Sequence, residues 1–389
     1  MHPKIPSIRD ILSTLVACPS VNPGDLNTWE EPYGEATMAE CLKEILLPWA
    51  DSVQIIEVLP GRPNLIATFK GDPNGPKRVL EAHLDTVDVT GMQIPPFDPA
   101  FTAGRIYGRG SADTKGPMTA MLAALLRAKS TNQPLNGDWF FIATCDEELG
   151  GRGAQHLIKS GFRCDGIIVA EPTELALIDV HKGVERYRVT VTGKAAHSAY
   201  PELGANAIAA LSECLVQLNA LSKDTATQFG GCDAIGPLTT SVGTIQGGDQ
   251  VNRVPQTASA EIDFRIPPNL PPTTIAEMLE SASQLVRTSS PAIMIEWTQT
   301  QHYPPLSAQR DSPFIKNIET LARKHLKFDH FSQVRYATNA GFFASAGIPC
   351  LVFGPGSIAE AHTANESIDL DSIEQATDFL EKVITEPLL

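Results

Sequence analysis

The chain has 389 residues, 42% of them hydrophobic, and carries 30 basic against 45 acidic side chains, a formal net charge of −15 at pH 7. This acidic excess argues against nucleic acid and against an anionic membrane surface as partners, because both attract basic patches. A length of 389 residues exceeds what one ordinary hydrophobic core organises, so we expect two domains.

Cysteine usage and the N-terminal stretch bear on the cellular compartment. The seven cysteines are widely spaced, without a C-x-x-C pair, at Cys18, Cys41, Cys145, Cys164, Cys214, Cys232 and Cys350. We therefore expect neither a disulfide framework nor a structural zinc site built on thiolates. The first residues lack the apolar segment of a signal peptide, and no window approaches the ~18 apolar residues of a membrane span. A cytoplasmic protein is the expectation.

Residues 1–182 alternate helical and strand patterns. Apolar residues at helical spacing predict a first helix around residues 8–15. Further along, helices are predicted near 35–48, 116–129 and 151–160, and strands near 52–58, 63–70, 77–84, 138–144 and 166–170. Such alternation predicts an α/β layer with a largely parallel sheet. Active sites in these sheets lie beyond the carboxyl ends of the strands.

The pattern changes near residue 183, where alternating residues predict a half-exposed antiparallel strand. A helix near 206–221, strands near 238–246, 256–266 and 292–298, and a helix near 273–287 complete a β-α-β-β-α-β order. That order is typical of the ferredoxin-like sandwich. From about residue 299 the alternation of helical and strand patterns seen in residues 1–182 resumes. We therefore predict one α/β domain, 1–182 and 299–389, interrupted by an inserted α+β domain, 183–298.

Five places put potential metal ligands after predicted strands or at a helix entry. Each is unremarkable alone: a His-x-Asp pair or two adjacent glutamates usually lie on a solvated surface. Their joint occurrence in order is the informative feature, because the loops of a parallel sheet open on one edge. The residues are His83 with Asp85, Asp113, Glu147 with Glu148, Glu171, and His362.

The charge of this set predicts bound cations. Asp113, Glu148 and Glu171 together carry −3, and Asp85 would add another negative charge, which is unfavourable without compensation. Two divalent metals would supply +4, and imidazoles combined with carboxylates suit zinc. Asp85, two residues from His83, could accept the other imidazole N–H and fix its tautomer. Glu147 would be a spare carboxylate near the activated water, where a general base belongs.

These residues fall in a set of specific motifs: AHLDTV, GRGSADTKGPM, CDEELGG, EPT followed by HKG, GKAAHSAYPELGANAI and GPGSIAEAHTANE. From about residue 10 to its end, the chain resembles the dinuclear-zinc deacylase and exopeptidase family of acetylornithine deacetylase, succinyl-diaminopimelate desuccinylase, aminoacylase and carboxypeptidase G. It is most similar to the acetylornithine deacetylase branch. The resemblance implies a zinc-peptidase-like catalytic domain and an inserted dimerisation, or lid, domain.

For the metal site, the resemblance implies that His83 and Glu171 hold one zinc, that Glu148 and His362 hold the other, and that Asp113 bridges them. Cobalt or manganese are feasible substitutes. The implied reaction is hydrolysis of an N-acyl or peptide amide, in which the base takes a proton from water and passes it to the leaving amine.

The resemblance also extends into the inserted domain. His197 matches a histidine that stabilises the oxyanion from the partner subunit, which implies a homodimer. Asn252 and Arg265 match positions that hold the substrate carboxylate, for which arginine is well suited. Taken without the family, His197 would be a polar surface residue and Arg265 half of a salt bridge on a strand, and both alternatives stay open.

The loop Gly354-Pro355-Gly356-Ser357 could offer backbone N–H groups to the same carboxylate, or it could be a plain turn before His362. One departure concerns Asn339, which we count among the candidate substrate-binding residues and which stands where acetylornithine deacetylase has an acidic residue. If that acid assists a cationic side chain, neutral Asn339 puts ornithine itself in doubt.

We therefore predict a deacylase of N-acyl amino acids and leave the side chain open. A dipeptidase or carboxypeptidase is the first alternative, because both reactions need the same activated water. A non-catalytic binding protein on the same fold is a remote one, since the chain keeps every ligand and the base.

Overall fold

The computed structural model describes residues 4–24, 30, 33–131, 134–231 and 234–387. The chain divides into two compact units. The main unit comprises Met1–Asp179, Ser307–Ser332 and Thr338–Leu389, and the inserted unit comprises Val180–Leu306 and Gln333–Ala337. The junctions at 179/180 and 306/307 differ slightly from the predicted 182/183 and 298/299, and the return of residues 333–337 to the inserted unit had no signal in the sequence.

Helices and strands have the following bounds. The helices are α1 (Ile8–Ala17), α2 (Ala36–Leu46), α3 (Gly116–Ser130), α4 (Arg152–Lys159), α5 (Ala207–Phe229), α6 (Thr274–Ser289), α7 (Pro313–His325), α8 (Ala340–Ser345) and α9 (Leu370–Thr385). The strands are β1 (Ser52–Leu59), β2 (Arg62–Phe69), β3 (Lys77–His83), β4 (Ala100–Thr102), β5 (Arg105–Tyr107), β6 (Asp138–Thr144), β7 (Gly166–Ala170), β8 (Ile178–His181), β9 (Gly183–Thr192), β10 (Thr239–Gly247), β11 (Thr257–Ile266), β12 (Met294–Tyr303), β13 (Ser332–Val334), β14 (Cys350–Phe353) and β15 (Ser367–Asp369).

The main sheet runs in the order β1-β2-β6-β3-β7-β14-β8-β13. Its centre is parallel, with β3 between β6 and β7 and with β14 beside β7, while β1, β2 and β8 pair antiparallel. The central strands β3, β7 and β14 are buried almost throughout, as expected of a sheet covered on both faces. The predicted fold class, a largely parallel α/β layer, is confirmed.

Parallel register brings the ends of the central strands together. His83, the last residue of β3, lies opposite Thr144, the last residue of β6, and Phe353 of β14 lies opposite Ala170 of β7. The loops that follow these four strands therefore leave the sheet at the same edge, where polar side chains can converge.

Helix α3 is the central helix of the main unit. Its sequence is apolar on every side, with leucine, methionine and alanine, and such a helix is expected to be buried all round. The helix contacts α9 and α1 in the core. Pro117 occupies its first turn, where the missing N–H costs nothing. The loop before α3 is consequently held against a rigid element.

A small antiparallel sheet in the order β15-β5-β4 was not predicted. Each strand has three residues, too few for a period-two pattern to stand out from turns. Ser367 pairs with Tyr107 and Asp369 with Arg105, so the segment after His362 lies beside the segment before Asp113.

The inserted unit has an antiparallel sheet in the order β10-β11-β9-β12. Alternate residues of β9 and β11 are buried against α5 and α6, including Val189, Val191, Ile262 and Phe264. Together with the β-α-β-β-α-β order, this is the predicted ferredoxin-like sandwich. Strand β12 continues to Tyr303, beyond the predicted end at 298.

Among the described residues, no helix has both the length and the apolar character needed to cross a membrane. The cysteines with free thiols are Cys18, Cys41, Cys145, Cys164, Cys214 and Cys350. Cys232 lies outside the described residues.

Candidate active site

The loops at the carboxyl edge of the main sheet bring together two groups of possible metal ligands. His83, Glu147 and Glu171 form one group, and His83, Asp113 and Glu148 form the other; in each, the ligand atoms lie within 4.8 Å of one another. These residues come from four separate parts of the chain, and the structure brings them together at one edge of the sheet.

Asp113 lies between two imidazoles. Its Oδ1 is 3.0 Å from Nε2 of His83, and its Oδ2 is 3.3 Å from Nε2 of His362. His362 also approaches the carboxylate of Glu148 at 3.3 Å. A carboxylate whose two oxygens face different histidines has the geometry of a bridging ligand.

The carboxylate of Asp85 lies closer to the loop of the two glutamates than to His83. Nδ1 of His83 lies 2.8 Å from the backbone carbonyl oxygen of Asp85, whereas the carboxylate Oδ1 is 3.6 Å away, too far for a good hydrogen bond. Instead the carboxylate accepts hydrogen bonds from the backbone N–H groups of Glu147 and Glu148, at 2.9 and 3.0 Å, and from Nδ2 of Asn22 at 2.7 Å. Asp85 therefore holds the loop of the two glutamates.

Crowded carboxylates raise one another's pKa at this edge. Burial raises the pKa of Glu147 and of Glu171 well above its usual value, and the neighbouring carboxylates, Asp113 among them, add to the shift. The pKa of Glu148 is raised for the same reasons. The imidazole of His362 faces these carboxylates, which stabilise its protonated form. Hydrogen bonds to Asp113 and Glu148 raise the pKa of His362 to about 10.

The donor set fits divalent metal ions. Glu147, Glu148 and Glu171 share a partly buried space with Asp113, and the repulsion between them is what cations of charge +2 would relieve. Imidazole nitrogens mixed with carboxylate oxygens are typical zinc ligands, while a magnesium or calcium site would be all oxygen.

A buried ion-pair network supports the loop that carries the glutamates. Arg62 is 2% exposed; its Nε donates to Glu35 at 2.8 Å, and its Nη2 lies 3.0 Å from Oδ1 of Asp146. Asp146 precedes Glu147, has a left-handed backbone with φ of 68°, and is also contacted by Arg152 and Asn22. Sequence reasoning missed Asn22, Glu35, Arg62 and Asp146, because single polar residues carry no periodic signal.

In the glycine loop before His362, one of the backbone N–H groups predicted to bind a carboxylate already donates to another residue. The N–H of Gly354 donates to Oγ1 of Thr173 at 3.0 Å, so it is already occupied. Gly356 has a left-handed backbone with a φ of 85°. A Cβ at this residue would lie 2.9 Å from Cδ1 of Ile368, which is too close for a larger side chain. Ser357 pairs with Thr173 in an isolated bridge. The turn interpretation accounts for both glycines.

Asn339, a predicted substrate-binding residue, is buried among polar neighbours. Its side chain is 1% exposed, and Nδ2 donates to Oε1 of Glu81 at 3.0 Å and to Oγ1 of Thr144 at 3.1 Å. Any effect of Asn339 on specificity must therefore pass through these buried neighbours.

The remaining predicted residues belong to the inserted unit. His197 is exposed, and its Nδ1 accepts a hydrogen bond from the N–H of Ala199 at 3.1 Å. Asn252 is also exposed, and its carbonyl oxygen accepts from Ser198 at 3.1 Å. Arg265 donates from Nε to Asp263 at 2.7 Å, which is the salt bridge of the alternative interpretation.

Known proteins are similar to this chain in sequence. The profile of "Peptidase family M20/M25/M40" matches residues 79–386. Acetylornithine deacetylase of Vibrio vulnificus (strain CMCP6) is 32% identical over 387 residues, and that of Vibrio atlanticus (strain LGP32) 31%; each match covers 98% of both chains.

Solved structures share the fold. Aminopeptidase PepT from Bacillus cereus ATCC 10987 superposes with a TM-score of 0.76 at 21% identity, covering 97% of both chains. The YXEP protein of Bacillus subtilis, described as a dinuclear metal binding peptidase, has a TM-score of 0.70 at 15% identity, covering 97% of this chain and 96% of that one.

The class defined by this fold and sequence is that of hydrolases that bind metal ions and act on small acyl amino acids or peptides. The chain belongs to peptidase family M20/M25/M40, which confirms the resemblance seen in its motifs.

Proposed function

We propose that this chain is a dinuclear-zinc deacylase that hydrolyses the amide bond of N-acyl amino acids. The observation that carries the proposal is the position of Asp113 between His83 and His362, with Glu148 3.3 Å from His362. One zinc would be held by His83 and Glu171, the other by Glu148 and His362, with Asp113 shared. Cobalt or manganese could replace zinc in this donor set.

The chemistry divides between the metals and the chain. When bound, the dications acidify a water molecule and polarise the scissile carbonyl. Glu147 takes a proton from the attacking water and delivers it to the nitrogen of the leaving amine. Asp85 fixes the base by accepting the backbone N–H of Glu147 at 2.9 Å. His197 would donate to the developing oxyanion, and Arg265 with Asn252 would hold the substrate carboxylate.

The names of relatives of similar length support deacylation rather than peptide hydrolysis as the proposed reaction. Those at 31–32% identity over 98% of this chain are named acetylornithine deacetylase. A dipeptidase or carboxypeptidase is the second candidate, because the same activated water would serve both reactions. The proposal leaves the amino-acid side chain open, because the buried side chain of Asn339 contacts Glu81 and Thr144.

A paired substrate screen tests the proposed reaction. N-acetyl amino acids and dipeptides with the same C-terminal residues are offered to one sample whose metal content is measured. We expect turnover of the acetylated series to exceed that of the dipeptides by at least about 10-fold, a difference of ~1.4 kcal/mol in transition-state binding. Preferential hydrolysis of dipeptides would replace the deacylase with the second candidate, and inactive protein with two bound zinc ions would favour a binding role.

The surface of the inserted unit supports a homodimer. Strand β10 is an edge strand and exposes Val242 and Ile245 by 45% and 58%. Helix α5 exposes Val216 by 67% and Ile208 by 39%. Exposed apolar side chains beside an unpaired strand edge are features of a protein–protein contact. A cytoplasmic location and the lack of nucleic-acid or membrane partners stay predictions from composition.

Mixed dimers test whether His197 acts across subunits. Neither His197→Ala nor Glu147→Ala alone should be active. When the two are mixed and re-equilibrated, half of the dimers are hybrids, and each hybrid restores one complete site. Recovery of about a quarter of parent activity is therefore expected for a two-fold dimer. Absence of recovery, with hybrids demonstrated by mass, would confine His197 to its own subunit or remove its role.

A further inference from the structure

The carboxyl group of Glu366 lies within the loop that carries Asp113. Its side chain is 1% exposed, and both of its oxygens are fully used. Oε1 accepts from the backbone N–H groups of Ala112 and Asp113 at 2.9 and 3.0 Å. Oε2 accepts from the N–H of Gly110 at 3.0 Å and from Nη1 of Arg109 at 2.7 Å. The loop thus closes around one carboxylate.

The same residue belongs to the segment that carries His362, four positions earlier. The backbone continues the connection, because the N–H of Gly108 donates to the carbonyl oxygen of Glu366 at 3.0 Å. Directly afterwards, β15 pairs with β5 through Ser367 and Tyr107. Glu366 is therefore the point at which the two ligand-bearing segments are joined.

This loop needs an acceptor of this kind. Three backbone donors, the N–H groups of Gly110, Ala112 and Asp113, turn inward toward a buried site, where unpaired N–H groups are costly. Gly110 has a φ of 80°, so a left-handed residue starts the turn. A carboxylate with four lone-pair directions satisfies all three and the guanidinium as well.

We propose that Glu366 is a positioning residue for the metal site. It touches neither substrate nor the proposed metal ligand atoms; it acts through Asp113, whose carboxylate it presents between His83 and His362. By holding both segments, it keeps Oδ2 of Asp113 and Nε2 of His362 3.3 Å apart, so that both atoms could bind one dication. The inference rests on the proposed function only in assuming that divalent cations bind here.

Glu366→Gln preserves size and tests the contacts. An amide has one acceptor oxygen, so its NH₂ group must face either the guanidinium of Arg109 and the N–H of Gly110, or the N–H groups of Ala112 and Asp113. In either orientation the NH₂ group of the glutamine would face N–H donors instead of accepting from them, and that end of the loop would move. Loss of a group that orients a ligand typically weakens metal binding by about 10–100-fold. Glu366→Asp keeps the charge but is shorter, so an intermediate loss is expected.

Metal binding without substrate is the decisive measurement. Metal-free protein is titrated with Zn²⁺ against a chromophoric chelator, and the visible spectrum of the cobalt-loaded protein is recorded. Two binding events in the parent test the proposed function; the ratio of variant to parent affinity tests Glu366. The matched control is Glu374→Gln, which removes an exposed carboxylate paired with Arg127 at 2.6 Å and should behave as the parent.

A second variant separates the loop contacts from a simple ion pair. Arg109→Met removes the guanidinium but leaves the three backbone N–H contacts to Glu366, so its loss of metal affinity should be clearly smaller than that of Glu366→Gln. Parent-like zinc affinity and cobalt spectrum in Glu366→Gln would overturn the proposal. So would an equal loss in Arg109→Met, or failure of both Glu366 variants to show cooperative thermal unfolding, which would indicate a general folding role.

Discussion

Glu147→Gln is expected to lower turnover by about 10²–10⁴-fold, the usual contribution of a general base, while metal binding is retained. Glutamine has the shape of glutamate but does not accept a proton at neutral pH. The backbone contact that orients the residue, from its N–H to Asp85 at 2.9 Å, does not involve the side chain and should persist. The fall should therefore appear in kcat rather than in KM.

The same variant separates two roles that geometry alone permits for Glu147. Its carboxylate lies within 4.8 Å of ligand atoms of His83 and Glu171, so it could also hold a metal. Metal per subunit and kcat are measured on one preparation, with Glu40→Gln, an exposed carboxylate paired with Lys43, as the control. Loss of metal would make Glu147 a ligand; full metal content with parent turnover would remove it from the mechanism.

Arg62→Met is expected to lower the free energy of unfolding by about 3–5 kcal/mol, the usual cost of breaking a buried ion pair from one side. Arg62 is 2% exposed, and Glu35 and Asp146 are fully buried around it. Burial already raises the pKa of Glu35 to about 7, against the opposing hydrogen bond from Arg62. Methionine fills the space but leaves Glu35 without its cation and Asp146 with Arg152 as its remaining one.

Urea unfolding followed by circular dichroism measures this loss. The matched control is Arg188→Met, which breaks an ion pair with Glu261 on the surface, where both side chains are about half exposed. Exposed pairs of this kind are worth about 0–1 kcal/mol, so the control should unfold close to the parent. A loss in Arg62→Met no larger than that of the control would contradict the importance of the buried network.

Much of the fold and the ligand cluster could be predicted before the structure. Strands β6 and β7 begin and end where the apolar runs predicted, and the parallel arrangement followed from helix–strand alternation. From the parallel arrangement alone, one expects His83 and Glu171 at the same edge, because each follows a strand. In the structure their ligand atoms lie within 4.8 Å of each other and of a ligand atom of Glu147.

Other parts of the site had no local signal. Glu366 contacts residues more than 250 positions away, and Arg62 contacts Glu35 across 27 positions, so no spacing rule indicates either pair. Asp85 was paired with His83 from its spacing, but the backbone carbonyl of Asp85 takes that contact and its carboxylate turns to the glutamate loop. The burial of Asn339, for which a substrate role was predicted, could not be seen in the sequence.

The fold class, the alternation of buried strands and the kinds of ligand at their ends follow from the amino-acid sequence alone, because hydrophobic periodicity and loop chemistry are local properties. The partner of each buried polar atom was decided only when the chain was folded. A hydrogen bond depends on distances of a few tenths of an ångström between segments far apart in the chain, and packing of the whole main unit sets those distances.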